Sequence, residues 1–93
     1  MYIVYLELLR RGYQVAIGKI GNLEVDFVAT KTDEKIYYQV SASILDEKTR
    51  DRELRSLKAI SDNYPKYILT MDQTIFKDYG GIKIKNLIDF LLE

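Results

Sequence analysis

Between Tyr13 and Ser43 the chain runs through three stretches rich in β-branched and aromatic residues, separated only by Gly21-Asn22 and Thr32-Asp33-Glu34. Connections this short cannot carry a crossover, so each strand must turn back on the one before it. The pattern predicts an antiparallel meander with strands at Tyr13–Ile20, Leu23–Lys31 and Lys35–Ser43. The rest of the fold has to be arranged around that unit.

Ahead of the meander, Met1–Arg11 is rich in Leu, Tyr and Arg and is stopped by Gly12, a residue suited to the left-handed end of a helix. On a helical wheel Tyr2, Tyr5, Leu6 and Leu9 share one side, which Ile3, Val4 and Leu8 widen, while Glu7 and Arg11 occupy the least apolar sector. A helix nearly buried all round is expected. No capping residue precedes it, and the expectation is of a C-terminal fragment of a longer chain. After the meander, Asp46 is a natural N-cap for a helix reaching about Ser61, with Leu54, Leu57 and Ile60 as its apolar stripe and Lys48, Arg52 and Arg55 opposite. Pro65 ends that segment, and Lys66–Met71 has the length and composition of a buried strand. The intervening helix allows this strand to lie parallel to the third. Gly80-Gly81 leads into a short strand, Ile82–Lys85, and Asn86 caps a last helix, Leu87–Leu92. The expected architecture is one α/β domain over residues 1–93 in the order αβββαββα.

Composition removes whole classes of chemistry. The chain has neither cysteine nor histidine, so disulfides, thiolate or imidazole metal ligands, Ser-His-Asp triads and histidine general bases are excluded. Any metal must be held by oxygen, which favours magnesium, manganese or calcium. Lys+Arg and Asp+Glu number 14 each, so no global field draws the chain to nucleic acid or to an anionic membrane. The apolar stretches fall well short of about 18 residues and the N-terminus lacks a signal-peptide layout, which gives a cytoplasmic location without a membrane partner as the expectation. No Gly-rich phosphate loop is present, so ATP binding is not expected of this chain.

One residue is out of place in the meander. Asp26 interrupts the apolar run Val25-Asp26-Phe27-Val28, although Asp is disfavoured in strands. Regular alternation would put Glu24, Asp26 and Val28 on one face and Val25, Phe27 and Ala29 on the other, with Gln39 and Ser41 sharing a face of the third strand. Half-buried polar groups need partners, because an unpaired one costs about 1–3 kcal/mol, and these can partner each other.

The order of a helix-borne Glu7, a hairpin, a strand-borne Asp26 and then Gln39-Val40-Ser41 resembles the PD-(D/E)xK nuclease superfamily. More closely, the chain resembles the C-terminal domain of archaeal and bacterial AAA-type ATPases. The resemblance is carried by Val4–Gly12, Gly21–Val28, Tyr38–Ser41 and Gly81–Leu91. It implies a restriction-endonuclease-like mixed sheet flanked by helices and a P-loop ATPase module on the N-terminal side as partner. In active members, a helix Glu, a strand Asp and a second strand acid hold magnesium, which activates water and stabilises charge on the scissile phosphate, while a Lys polarises the nucleophile. Carried over, Glu7 and Asp26 are the metal-ligating acids, Gln39 replaces the second strand acid, and Ser41 stands where the Lys would be, with Lys48 or Arg52 as a relocated cation. DNA would lie along Lys48, Arg52 and Arg55. The degenerate third strand implies a binding or assembly module, with a magnesium-dependent, resolvase-like endonuclease and a self-associating structural homodimer as alternatives.

Simpler roles are open to the same residues. Glu7 and Arg11 are spaced i,i+4 in the favourable orientation for a helix pair, Asp26 can bond a neighbouring backbone group, Gln39 and Ser41 can be structural, and the basic stripe can be a solvated helix face. Tyr37, Tyr38, Tyr64 and Tyr67 lie near lysines in sequence, which suits a nucleic-acid surface or a half-wet sheet equally.

Overall fold

A computed structural model describes residues 2–73 and 78–93. Helix α1 (Tyr2–Arg10) leads into strands β1 (Gln14–Ile20), β2 (Leu23–Lys31) and β3 (Glu34–Ser41). Helix α2 (Glu47–Lys58), strands β4 (Lys66–Thr70), β5 (Asp78–Tyr79) and β6 (Ile82–Asn86), and helix α3 (Leu87–Leu91) follow. The expected start of α1 at Met1 lies outside the described residues. The six strands form one sheet in the order β1-β2-β3-β4-β6-β5. β1, β2 and β3 pair antiparallel, as the short turns require, whereas β4 lies parallel to β3 and β6 parallel to β4. The α/β mixed sheet flanked by helices is thus as expected, with one added strand: the two residues of β5 pair antiparallel with β6 and convert the expected order to αβββαβββα. A two-residue strand carries no periodicity to read.

Local signals account for most element ends. At the end of α1, Gly12 adopts φ 91°, its N–H donates to Leu9 O, and Tyr13 N–H donates to Leu8 O at 3.1 Å. This pair of reverse bonds satisfies the last helical carbonyls, and only glycine takes that φ without steric cost. Asp46 caps α2 by accepting from Thr49 N–H at 3.0 Å, and Asn86 caps α3 by accepting from Asp89 N–H at 3.1 Å. Two expected ends overshoot by two residues or more: β3 stops at Ser41, where the Ser41 hydroxyl donates to Ser43 O and turns the chain, and α2 stops at Lys58, before Ser61.

The sheet separates two apolar layers. Tyr37, Ile68, Ile82 and Ile84 pack with Val25 and Ile44 against Leu54, Leu57 and Ile60 of the α2 segment. On the opposite face Tyr38, Leu69 and Ala29 pack against Val4 and Leu8 of α1 and Phe90 of α3. The consecutive pairs Tyr37/Tyr38 and Ile68/Leu69 send one side chain to each layer, as strand alternation dictates. Helix α1 departs from expectation. Only Val4 and Leu8 are buried, while Tyr2, Ile3, Leu6 and Leu9 are exposed and Glu7 is half-buried. The side judged most apolar on the wheel therefore faces outward, and it is Val4 and Leu8 that pack with Ala29, Tyr38, Leu69 and Phe90.

Candidate functional site: the β2–β3 divergence

Backbone pairing between β2 and β3 runs from Lys31↔Glu34 to Phe27↔Tyr38 and stops there. Beyond that point side chains take over. Asp26 N–H donates to Gln39 Oε1 at 2.7 Å, and Val40 N–H donates to Asp26 Oδ2 at 2.8 Å. Each polar side chain satisfies a main-chain donor that the parting strands would otherwise leave unpaired. Gln39 is 5% exposed, and its Nε2 extends at 3.4 Å to Glu53 O on α2.

The divergence has a second cause on the other side of β2. Ala16 pairs with Val28, but the next register pair is Gly18 with Val25, so β2 carries one residue more than β1 over this interval, at Asp26-Phe27. Such a bulge resets the side-chain alternation. Regular alternation is consequently overturned here: Val25 and Val28, three positions apart, both pack against the α2-side layer, while Phe27 and Ala29 serve the α1–α3 side. Both valines converge on Gly18, where an added Cβ would stand 2.7 Å from Val28 Cγ2 and 3.2 Å from Val25 Cβ.

Glu7 is held elsewhere. Its carboxylate accepts from Arg10 Nε and Nη2 at 2.9 and 2.7 Å and from Arg11 Nε at 2.6 Å. Hydrogen bonds from Arg10 and then Arg11 hold its pKa down at about 2. Arg11 also donates to Phe90 O at 2.5 Å and to Glu93 Oε1 at 3.1 Å, and its guanidinium lies 4.3 Å from the centroid of the Phe90 ring. The helix pair read from the i,i+4 spacing is thus present, and it is extended into a bridge between α1 and α3.

These placements decide how the residues suit a divalent cation. Among the described residues no three acidic side chains converge on one point. Asp26 and Gln39 each have an oxygen committed to a main-chain N–H, and Glu7 is neutralised by two guanidinium groups. The donor set as placed does not fit a metal cage. Ser41, at the position of the nuclease lysine, is engaged with Ser43 O at 2.9 Å. Lys48, Arg52 and Arg55 do lie together on the exposed side of α2, with Arg52 Nε 3.8 Å from Glu53 Oε2. The lysines near the tyrosines turn out to cover their rings, with Lys35 Nζ 5.5 Å from the Tyr37 centroid and Lys85 Nζ 5.5 Å from that of Tyr67.

Two residues of this end of the sheet were not singled out by sequence. Glu53 has a pKa raised first by burial and next by the negative charge of Asp26, against the opposing pull of Arg52. Its position four residues before Leu57 was the available signal, since that spacing puts it on the inward side of α2. Asp72 gathers the ends of the parallel strands: its Oδ2 accepts from Ile44 N–H at 2.8 Å and Thr70 Oγ1 at 3.0 Å, and its carbonyl accepts from Asn86 Nδ2 at 3.0 Å. Burial alone would raise its pKa, but bonds from Ile44 N–H, Ser43 and Thr70 outweigh that and lower it.

No family model matches the chain. A protein of Haemophilus influenzae described as an uncharacterized protein is 41% identical over 91 residues. The match takes in 98% of this chain but 22% of that relative, so the chain spans about a fifth of the relative's length. No membrane-crossing helix occurs among the described residues: none is long and apolar enough.

Proposed function

We propose that this chain is a binding or assembly domain of a larger protein, an accessory module of a prokaryotic ATPase of the kind its sequence resembles, and that it does not cut nucleic acid. The observation that carries this reading is the reciprocal engagement of Asp26 and Gln39 with the backbones of β3 and β2. Residues that would bind metal in a nuclease here serve as ladder hydrogen bonds. The length of the Haemophilus relative, of which the match takes in 22%, supports placement within a longer polypeptide.

The test pairs calorimetric titration of the chain with magnesium and manganese against cleavage assays on plasmid and branched duplex DNA. No metal-dependent cleavage is expected. Cutting that requires the metal and disappears in Asp26→Ala would overturn the reading in favour of an endonuclease.

A second reading concerns the exposed cations of α2. Lys48, Arg52 and Arg55 share one outward stripe, which suits contact with a phosphate backbone. Binding through that stripe would weaken steeply with salt and weaken further on charge removal at Arg52 and Arg55.

A further inference from the structure

Helix α1 is apolar on two opposite sides. Val4 and Leu8, both fully buried, face the sheet. Leu6 stands two positions from each of them, which is about 200° around a helix and so on the opposite side. Tyr2, Ile3 and Leu9 are three or four positions from Leu6 and border it on that side. Tyr2, Ile3, Leu6 and Leu9 are 70%, 53%, 45% and 42% exposed. Arg10, four positions after Leu6, turns its guanidinium onto Glu7, so the patch carries no surplus charge. A helix on a protein surface is polar on the side away from the core, whereas apolar residues on both sides belong to a helix held between two layers.

We propose that the outward side of α1 is the docking face for another part of the same polypeptide, which places α1 between the sheet and a second layer. This rests on the reading of the chain as one domain of a larger protein, and two observations select the occupant. The first is area. Four partly exposed side chains offer a few hundred Å², whereas a standard interface between free molecules takes about 800 Å² from each partner. A second copy or a separate protein has too little to hold here. A linked segment is under no such requirement, because the tether makes docking intramolecular, at an effective concentration of about a millimolar, and contacts too weak for free partners become populated. The second observation is length: nearly the whole chain matches 22% of the Haemophilus relative, which leaves more than three quarters of that polypeptide to supply the covering surface. That surface is apolar where it meets Leu6, since a charge set there would be desolvated without a partner. An anionic lipid surface fits less well, because helices that lie on membranes carry surplus Lys and Arg, and here Glu7 offsets Arg10 and Arg11.

The experiment is hydroxyl-radical footprinting, read residue by residue by mass spectrometry, on the 93-residue chain and on the Haemophilus relative carrying this chain in place of the region it matches. Labelling at Tyr2, Ile3, Leu6 and Leu9 should fall severalfold in the long polypeptide, with Leu45, 75% exposed beside Ile44 of the α2-side layer, as the reference. Leu6→Glu should restore labelling at Tyr2 and Leu9 in the long polypeptide and leave the urea midpoint of the 93-residue chain unchanged. If the hybrid does not fold, the unaltered relative supplies the same comparison at the positions aligned with these residues. Labelling of α1 as strong in the long polypeptide as in the chain alone would overturn the proposal. So would self-association of the 93-residue chain, or its binding to anionic phospholipid vesicles, if Leu6→Glu abolished either. None of these readings involves metal or cleavage, so equal labelling refutes the docking face while leaving the non-cutting assembly domain standing. The reading beneath it fails separately, if an antibody to the chain finds it in its own cells at its mass of 10.9 kDa.

Discussion

Asp26 and Gln39 exchange hydrogen bonds with each other's strands: the N–H of Asp26 donates to the side chain of Gln39, and the side chain of Asp26 accepts from the N–H of Val40, the residue after Gln39. The pair thereby extends the β2–β3 ladder past the last backbone-to-backbone rung at Phe27↔Tyr38.

Removing one member should expose the ladder role. Asp26→Ala leaves Val40 N–H without its acceptor in a half-buried setting, and a loss of about 1–3 kcal/mol is expected. Asp26→Asn keeps an acceptor oxygen and should lose much less. The urea midpoint of the two variants, compared at constant m-value, distinguishes them. Equal losses in both would show that charge, not the hydrogen bond, is what matters at this position.

Restoring an acid at the third-strand position should be unfavourable. Gln39→Glu retains an acceptor for Asp26 N–H but loses the Nε2 donor to Glu53 O and brings a carboxylate toward Asp26 and Glu53. A destabilisation of about 1–3 kcal/mol is expected near pH 7. A carboxyl in those surroundings has its pKa raised above the unfolded value, so stability should recover as pH falls through the raised pKa. Thermal unfolding of this variant at pH 7 and pH 5 checks the sign.

Acid should weaken the ion pairs that gather Arg10 and Arg11 at the end of α1. The pKa of Glu7 is about 2 in the fold, below the ordinary carboxylate value, so its contribution is present above the unfolded pKa and is lost as pH falls from there through about 2. Asp62 and Asp72 are lowered as well and act in the same direction. Glu53 is raised and acts oppositely, relieving the fold when it protonates. The midpoint of thermal unfolding should fall over this acid range in the wild type, and Glu7→Gln should flatten the fall.

The crowding at the bulge can be read by a pair of substitutions. Gly18→Ala puts a Cβ 2.7 Å from Val28 Cγ2, and overpacking of this kind costs about 1–3 kcal/mol. Val28→Ala in the same chain removes the obstructing methyl groups and should recover part of the loss. A double-mutant cycle on unfolding free energies measures the coupling, and additive losses would place the strain elsewhere.

Features of the fold that rest on local bonding were legible in the sequence. Gly12, Asp46 and Asn86 each act on backbone groups within a few residues, and all three fall where their caps were expected. The parallel placement of β4 was legible too, because a helix between strands permits it. The bulge at Asp26-Phe27 was not, since it depends on how β1 and β3 part around β2 and not on any turn residue. The outward side of α1 was misjudged because hydropathy alone ranks Tyr2, Leu6 and Leu9 beside Val4 and Leu8, and only packing against the sheet separates them. At the site, the partnership of Asp26 with Gln39 followed from the need to satisfy half-buried polar groups. Asp72 was missed because its partner Ile44 is distant in sequence, whereas Glu53 was legible from its spacing to Leu57 and was passed over for the exposed cations of α2.

Arg11 touches Phe90 and Glu93, residues 79 and 82 positions away. Closing a loop of that length costs roughly 4 kcal/mol in chain entropy, several times the closure cost of a tight turn. The docking of the first helix against the last is therefore favourable only once the intervening sheet has drawn the two ends together. By that entropy the bridge is expected to form late, securing a fold that other contacts have already assembled.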